Sequence, residues 1–334
     1  MHAGRHYSLG TVLYWTRRDI LLFTLIAAVP VSINEFVVPL PPLPWQPVAM
    51  LGTAVAFMTG FKSNAAYGRL WEARQIWGGI VNASRAWALS VRDFVGPDPG
   101  AADVAAVHRR LVYRQLAWLT ALRFQLREPR LWETQRDRHN AEFRAGHYVI
   151  PERTTELPVD LAGFLDEADL ALVLGKKNRA TAILSLQSAD LRAAAERGWL
   201  GDYKHVELSR GVSNLIDLQG RCERIKNFPY PRQFSTLNLI FVWLFVGLLP
   251  LAMVSELAKT GTAWTWVALP LTVVVAWVLH TMDKIGEASE NPFEGGPNDV
   301  PITTMSRAIE IDLKDLAGET DLPKPLQPVG EIAM

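Results

Sequence analysis

The side chains that most often carry catalysis are present in this sequence, but they are not grouped. The seven histidines are scattered along the chain and match no metal-binding motif. The single cysteine, Cys222, excludes an internal disulfide and a cysteine metal cluster. The sequence contains no phosphate-binding loop, dinucleotide fingerprint or nucleophile elbow. The polar stretch 136–147 is explained as well by a solvated loop as by an enzyme site, so the sequence argues against an enzyme.

The composition indicates a mixture of very apolar segments and an ordinary polar region. The chain has 334 residues, of which 20% are charged, and its formal net charge is zero. Its mean hydropathy of +0.08 is high for a soluble protein with that many charges. Because there is no basic excess, nucleic acid is not an expected partner.

Two stretches are long and apolar enough to cross a bilayer. Residues 234–254 carry no charge over about 20 positions, the length that a hydrocarbon core requires. Residues 260–282 have the same character, with tryptophans near both ends, as in an aromatic belt. Only a short segment separates the two stretches. We therefore predict a helical hairpin with membrane segments at about 234–255 and 260–282.

The amino-terminal apolar region is less regular. Residues 20–33 are short for a span but can reach the far surface if the helix extends to about residue 38. A proline-rich turn follows, and the apolar run resumes at about 46–66. From Lys62 onward this run becomes charged and rich in tryptophan, with no proline to stop the helix. A helix of this kind is expected to touch protein or water, rather than lipid, in its second half.

The charges of the connecting loops predict the orientation. The loops assigned to the opposite side contain only Glu35 in one and Glu256 with Lys259 in the other. The basic residues all fall on one side, and they are Arg5, Arg17, Arg18, Lys62, Arg69, Arg74, Arg224, Lys226, Arg232 and Lys284. The positive-inside rule places both termini in the cytoplasm, with four spans across the cell's inner (plasma) membrane.

Between the second and third spans the apolar residues recur at helical spacing, which predicts a cytosolic helical region at about 67–230. We expect a break at 97–103 with Asp103 as helix N-cap, a long polar loop at 144–160, one helix from Leu170 to Gly198 and another from Asp202. The clasp and tail at 283–334 should contain a short helix at about 307–316, with the last residues loosely held. No alternating β-pattern is present, so the fold is expected to be all-α.

Three segments resemble the bestrophin family in its bacterial branch. They are "YGRLWEARQIWGGIVNASR" from Tyr67, "CERIKNFPYP" from Cys222 and "ENPFEGGPNDVP" from Glu290. They occur in order, and the resemblance covers nearly the whole chain, so residues 1–334 are interpreted as a single bestrophin-like channel domain. The resemblance implies a homopentamer that surrounds one ion pathway in the lipid bilayer.

The resemblance also implies that the second membrane helix lines a narrow hydrophobic neck, formed here by Thr53, Phe57 and Phe61. Their i, i+4, i+8 spacing puts them on one helix face in any case. Without the resemblance, that stripe would more simply pack against another helix. A bulky aliphatic residue is expected at the first position, so Thr53 is a departure that makes this end of the neck shorter or wetter. Phenylalanine rings would gate by dewetting or slight dilation.

Two further sites are implied. A second constriction is expected near the start of the helix after Gly198, at Tyr203, His205 or Val206. A structural clasp that holds the tail against the neighbouring subunit is expected at Asn291, Pro292, Phe293 and Asp299. Animal relatives bind calcium in the clasp through a run of acids, whereas residues 294–299 offer only two acids and one asparagine, too few for a tight site. We therefore expect no cofactor and no metal.

The expected function is a channel for small monovalent ions, with chloride favoured and a sodium channel of the same fold as the alternative. A coupled carrier is less favoured, because no ionisable residue lies at mid-depth in the four apolar segments. A non-conducting membrane scaffold remains a further alternative.

Overall fold

Helices form almost all of the regular structure. The computed structural model describes residues 1–96 and 102–334. In these two ranges there is no β-strand, and only isolated bridges join His2 to Ile332 and Val329 to Ile332. The all-α prediction is confirmed. The helices of the described ranges are α1 (Leu9–Phe36), α2 (Trp45–Phe94), α3 (Ala102–Arg127), α4 (Arg138–His147), α5 (Leu157–Ala162), α6 (Glu167–Leu174), α7 (Arg179–Glu196), α8 (Asp202–Asn227), α9 (Arg232–Leu257), α10 (Thr262–Thr265), α11 (Ala268–Ser289) and α12 (Ile302–Leu316).

Within residues 1–96 and 102–334, three helical segments are long and apolar enough to cross a membrane. They are Leu9–Phe36, the α9 part of Asp202–Thr260, and Thr262–Ser289. The apolar start of α2 is not long and apolar enough to be a fourth such segment. It packs instead in a shared core with α9, in which Val48 and Val55 lie with Val242 and Phe245.

Two of the predicted spans lie in helices whose bounds differ from those of the spans, and the spans themselves stay predictions. The first helix begins at Leu9 rather than near residue 20, and the Ser8 hydroxyl caps it by accepting the Thr11 N–H at 3.1 Å. The span predicted at 260–282 falls almost entirely in the helical segment Thr262–Ser289, in which α11 begins at Ala268 after the short α10. Pro270 therefore lies in the first turn of α11, where a missing N–H removes no helical hydrogen bond.

The second helix runs unbroken for 50 residues, from Trp45 to Phe94. At 1.5 Å per residue it is about 75 Å long, more than twice the thickness of a hydrocarbon core. The change from apolar to charged sequence at Lys62 causes no interruption, as the sequence predicts. This single helix joins the apolar bundle of α1, α9 and α11 to the charged helical region that the sequence predicts to be cytosolic.

The predicted cytosolic region has its own core, built largely by α2, α3, α7 and α8. The indoles of Trp77 and Trp118 are completely buried there. The apolar stripe predicted for the helix from Asp202 is also buried, and it consists of Leu208, Val212, Leu215, Cys222 and Ile225. Burial of one such leucine stabilises the fold by about 2 kcal/mol. This core packs α8 against the carboxyl-terminal half of α2.

Two predictions in the cytosolic region are wrong. The helix expected from Leu170 to Gly198 is divided, because α6 ends at Leu174 with Gly175 as its C-cap. Asn178 then caps the start of α7 by accepting the Thr181 N–H at 3.0 Å. The polar loop expected at 144–160 is largely ordered, since it contains the end of α4, a 3₁₀ turn and the start of α5.

The ends of the region also differ from expectation. Asp103 lies in the first turn of α3, one residue after the helix starts, rather than before it. The rest of the expected break, at 97–101, lies outside the described residues. At the carboxyl end the chain is not loose, since Ile332 and Met334 are buried against Phe143 and Tyr148.

Candidate functional site

The predicted neck residues lie together on the exposed face of α2. The side chains of Phe57 and Phe61 are 65% and 69% exposed, and their ring centroids are 6.5 Å apart. Thr53 is also exposed, and its hydroxyl donates to the Ala49 carbonyl at 2.9 Å. Because its own helix satisfies this hydroxyl, Thr53 is less polar toward its surroundings than its residue type suggests. We call Thr53, Phe57 and Phe61 the neck stripe.

On the carboxyl-terminal side of the neck stripe, the same face of α2 becomes polar. Asn64 is exposed and lines a groove of about 510 Å³ together with Phe57 and Phe61. Farther along, the rings of Tyr67 and Trp71 stack with a centroid distance of 6.3 Å, and the two side chains are 60% and 49% exposed. One uncovered face of α2 thus runs from apolar through amide to aromatic side chains.

The opposite face of α2 is buried and carries a buried ion pair. Lys62 Nζ lies 2.7 Å from Asp283 Oδ1 on α11, and both side chains are at most 3% exposed. Asn238 on α9 donates its amide to the same carboxylate oxygen at 2.7 Å and exchanges longer contacts with Thr59. Lys62, the residue next to Phe61, is therefore bound to Asp283 on α11, and Asn238 on α9 binds the same carboxylate. The positive charge of Lys62 is paired with Asp283 on the buried face of α2 and is not exposed on the face that carries the neck stripe.

A second polar cluster ties α11 to α1. Lys284 Nζ lies 2.7 Å from Asp19 Oδ2, and His280 Nε2 lies 3.7 Å from the other oxygen of Asp19. The indole N–H of Trp277 donates to Thr16 at 2.9 Å on the same pair of helices. Sequence reasoning missed both clusters, because the partners in the two lysine–aspartate ion pairs stand more than 200 positions apart and nothing local marks them.

The candidates for the second constriction lie at the start of α8. Tyr203 and Val206 are 94% and 52% exposed, whereas His205 is partly buried. The start of α8 lies beside the end of α2, since the Gly96 N–H donates to the Trp199 carbonyl at 2.8 Å. That point is about 50 Å from Phe61 along the α2 axis. The structure therefore separates these candidates clearly from the neck stripe.

The clasp residues form a tight loop centred on Asp299. Asp299 Oδ1 accepts the N–H groups of Phe293 and Val300, and Oδ2 accepts the N–H of Gly295. The buried Arg127 guanidinium donates to Oδ2 at 2.9 Å. These bonds hold Phe293 at a φ of 79°, a conformation uncommon for a residue with a side chain. Asp299 thus holds the shape of this loop within the subunit, and the role of the loop as a structural clasp stays a prediction.

The remaining predicted clasp residues support the same loop. The Asn291 amide donates to the Trp132 carbonyl at 3.4 Å, and the Phe293 ring is completely buried in the cytosolic core. Pro292 is buried between them. The described contacts of this loop lie within one subunit, so its contact with a neighbour stays a prediction.

The loop does not fit a calcium ion. Both oxygens of Asp299 already accept hydrogen bonds, as described above. The Glu294 carboxyl accepts the Thr134 N–H and hydroxyl at 3.0 and 2.9 Å. Burial raises the pKa of Glu294 to about 8, so this group is mostly protonated at neutral pH. Since calcium is held by several free carboxylate and carbonyl oxygens, neither acid is available to bind it.

Comparisons with known proteins decide the family. The family model described as "Bacterial/Fungal Bestrophin protein" matches residues 7–315. The chain belongs to this bestrophin family. Its relatives include the "Voltage-dependent anion channel-forming protein" YneE of Escherichia coli (strain K12), 28% identical over 84% of this chain and 80% of the relative. The protein of the same description from Ralstonia nicotianae, RSc3414, is 27% identical over 83% of this chain and 78% of the relative.

Solved structures agree with this bestrophin assignment. The crystal structure of a bacterial bestrophin homologue from Klebsiella pneumoniae has a TM-score of 0.74 and 25% identity. It covers 91% of this chain and 98% of that one. The relatives named above are described as channel-forming proteins rather than as enzymes, which matches the expectation from the sequence.

Proposed function

We propose that this bestrophin forms a membrane channel that conducts small anions such as chloride. The observation that carries the proposal is the uncovered neck stripe of α2, in which two phenylalanines lie on the exposed face of a helix anchored by a buried ion pair. Uncovered aromatic rings of this kind need partners, and copies of the same chain around an axis would provide them. The naming of the relatives as anion channel-forming proteins supports the same function.

The proposed assembly is a homopentamer in the inner membrane with both termini in the cytoplasm. Four helices of each subunit cross the bilayer, with α2 as the inner one and α1, α9 and α11 facing lipid. This arrangement explains why α2 falls short of the apolar length of the other three: it would contact protein and the ion pathway rather than hydrocarbon.

The neck itself would be uncharged. The charge of Lys62 is paired with Asp283 in the protein interior, so it contributes little to the field in the pathway. Phenyl rings carry partial positive charge at their edges, and an edge turned toward the axis favours an anion. Asn64, the first polar side chain below Phe61 on this face, would offer amide N–H groups to the same ion.

The cytosolic constriction and the clasp complete the proposal. Tyr203 or Val206 would form the second ring, since both are more exposed than His205 at the start of α8. The clasp would act as a structural support that does not depend on calcium, because Glu294 and Asp299 are occupied by hydrogen bonds.

The test is the current across a planar bilayer that contains the purified protein, under a tenfold potassium chloride gradient. We expect a reversal potential near the chloride equilibrium potential. The double variant Phe57→Ala/Phe61→Ala should conduct more or open more often, because a wider and less apolar neck stays wet. Phe36→Ala/Phe234→Ala is the matched control, since both rings are exposed on other helices.

Other outcomes would be equally informative. A reversal potential near the potassium limit would make this a cation channel. Unchanged currents in Phe57→Ala/Phe61→Ala would show that these two side chains do not line the ion pathway. The absence of current from a folded and oligomeric protein would favour the hypothesis of a coupled carrier or that of a non-conducting membrane scaffold.

A further inference from the structure

A cavity of about 270 Å³ lies between the start of α1 and the loop centred on Asp299. Its walls come from α1, the 3₁₀ turn Thr134–Arg136, α4 and the segment after it, the end of α11, and the loop itself. None of the neck stripe residues lines it. Because parts of the chain that are far apart in the sequence meet around it, the cavity is a formed pocket and not an uncovered helix face.

Aromatic side chains make up much of the wall. They are Tyr7, Trp15, Phe143 and Tyr148. Phe143 and Tyr148 are 6% and 5% exposed, and both belong to one buried cluster on which Trp15 packs. The Trp15 indole N–H also donates to Asn140 Oδ1 at 3.3 Å. Most of the rings are therefore held in place by the protein, and a ligand would not have to order them.

The charge of the wall selects a neutral ligand. None of the described side chains that line the cavity is charged. Lys284, the residue before Ile285 of the wall, has its ammonium group 2.7 Å from Asp19. Burial raises the pKa of Tyr7 to about 12, so its phenol stays neutral. An ion that entered this cavity would lose its hydration without meeting a counter-charge.

One buried polar group in the wall has an unused donor. Gln135 is 2% exposed, and its Oε1 accepts the Arg144 guanidinium at 3.3 Å and the Tyr148 hydroxyl at 3.4 Å. Because a guanidinium can only donate, this contact fixes which end of the amide is the oxygen. The Gln135 Nε2 atom then donates to no acceptor within residues 1–96 and 102–334. An acceptor oxygen on a ligand would complete it.

We propose that this cavity binds a small neutral aromatic molecule with one acceptor oxygen, such as an aryl ketone. Its ring would lie among Trp15, Phe143 and Tyr148, and its oxygen would accept from Gln135 Nε2. A cavity of about 150 Å³ holds benzene, so this larger one fits a ring with a short substituent. The ligand would contact α1, α11 and the loop centred on Asp299 together, so it should stabilise their packing.

The test is fluorine NMR of para-fluoroacetophenone with the full-length protein purified in detergent. Val12→Phe places a larger side chain into the cavity from α1, whereas Leu13→Phe adds the same ring at the next position, which is 41% exposed and does not line the cavity. We expect a saturable bound signal with the wild type and with Leu13→Phe. Val12→Phe should lower the affinity by about tenfold or more. Partition of the ligand into detergent is the same for all three proteins.

A second ligand tests the hydrogen bond separately from the shape of the cavity. In para-fluorocumene a methyl group replaces the ketone oxygen. Gln135→Met removes the donor at similar volume, so it should weaken binding of the ketone by about fivefold and leave that of para-fluorocumene unchanged. Equal weakening of both ligands would mean that Gln135 acts only through the shape of the cavity, and the acceptor requirement would be wrong.

The absence of a saturable signal with the wild type would show that the cavity holds water only, and the proposal would be wrong. Binding by Val12→Phe at wild-type affinity would contradict it equally, because the ligand would then lie elsewhere. If Val12→Phe does not fold, Ala288→Leu replaces it, since this substitution narrows the cavity from α11. The thermal midpoint of each variant without ligand verifies that it is folded.

Discussion

Lys62 follows Phe61 directly along α2, yet its charge is directed into the protein. Its ammonium group meets Asp283 at 2.7 Å, and the second oxygen of that carboxylate has no hydrogen-bond partner among the described residues. A buried pair of this kind is weak evidence for stability, because desolvation offsets much of the attraction. Its geometric effect is clearer: it fixes the rotation of α2 relative to α11 and so determines which side chains remain uncovered.

Removing one partner of this pair should be much more harmful than removing both. Lys62→Met leaves a buried carboxylate without its cation, which we expect to cost about 3 to 5 kcal/mol. Lys62→Met/Asp283→Asn removes both charges at similar volume and should recover most of that loss. The thermal midpoint in detergent measures the effect, with Arg138→Gln as an exposed control. Strictly additive effects of the two substitutions would show that the pair is not coupled.

Glu294 gives the clasp a pH dependence with a definite sign. Its pKa is raised by burial to about 8, against an ordinary value near 4.5, so the folded protein binds a proton that the unfolded chain releases between these limits. The stabilisation is complete below about pH 4.5 and is lost as pH rises through 8. The free energy of unfolding should fall with increasing pH, by up to about 1.4 kcal/mol for each unit in this window.

The measurement is the thermal midpoint of the wild type and of Glu294→Gln from pH 5.5 to 8.5. Glutamine keeps an acceptor for the Thr134 N–H but does not titrate. The variant should therefore show the flatter pH profile. Parallel profiles would mean that Glu294 does not titrate in this range.

The long helix α2 shows how much of the fold the sequence could predict. Its continuity follows from the lack of an interior proline, and its buried positions Ile76, Trp77 and Ile80 follow from helical periodicity. The neck stripe could be placed on one face for the same reason. Its role could not be derived this way, since an exposed stripe and a packed stripe have the same spacing.

Other features depended on contacts that no local pattern specifies. Lys62 and Asp283 are 221 positions apart, and Arg127 and Asp299 are 172 apart, so neither pair is marked in the sequence. The burial of Ile332 depends on a site formed by Phe143 and Tyr148. The break between α6 and α7 is different, because Gly175 and Asn178 are local stop and start signals that the sequence itself contains.

The clasp loop should work without calcium. Its geometry is maintained by Asp299 through four hydrogen bonds, three from backbone N–H groups and one from Arg127. A titration from calcium-free to millimolar calcium in the planar bilayer should therefore leave the current unchanged. Asp299→Asn should instead lower the thermal midpoint, since it weakens the bond to a buried guanidinium. Currents that calcium switches on would show that the loop rearranges to bind it.

The exposed apolar side chains lie on two kinds of helix, and the proposed bilayer and assembly account for both. The exposed leucines and valines of α1, α9 and α11 are suited to hydrocarbon, because these helices are apolar over the length of a span. The exposed rings of Phe57, Phe61 and Trp71 belong to a helix that carries charged residues in its second half. Lipid cannot cover this whole face, so another copy of the chain or water must do so.

Five copies around one axis would bring the neck stripes together, and the mass of the assembly tests this directly. Light scattering of the detergent-solubilised protein, with detergent and protein mass separated by absorbance, should give five chains per particle. Phe57→Ala/Phe61→Ala should keep the same count, because a neck that encloses the ion pathway contributes less to assembly than the surfaces around it. Loss of assembly in that variant would mean that the neck stripe is buried between subunits rather than facing an ion pathway. A number of chains other than five in the wild type would show that the assembly is not a pentamer.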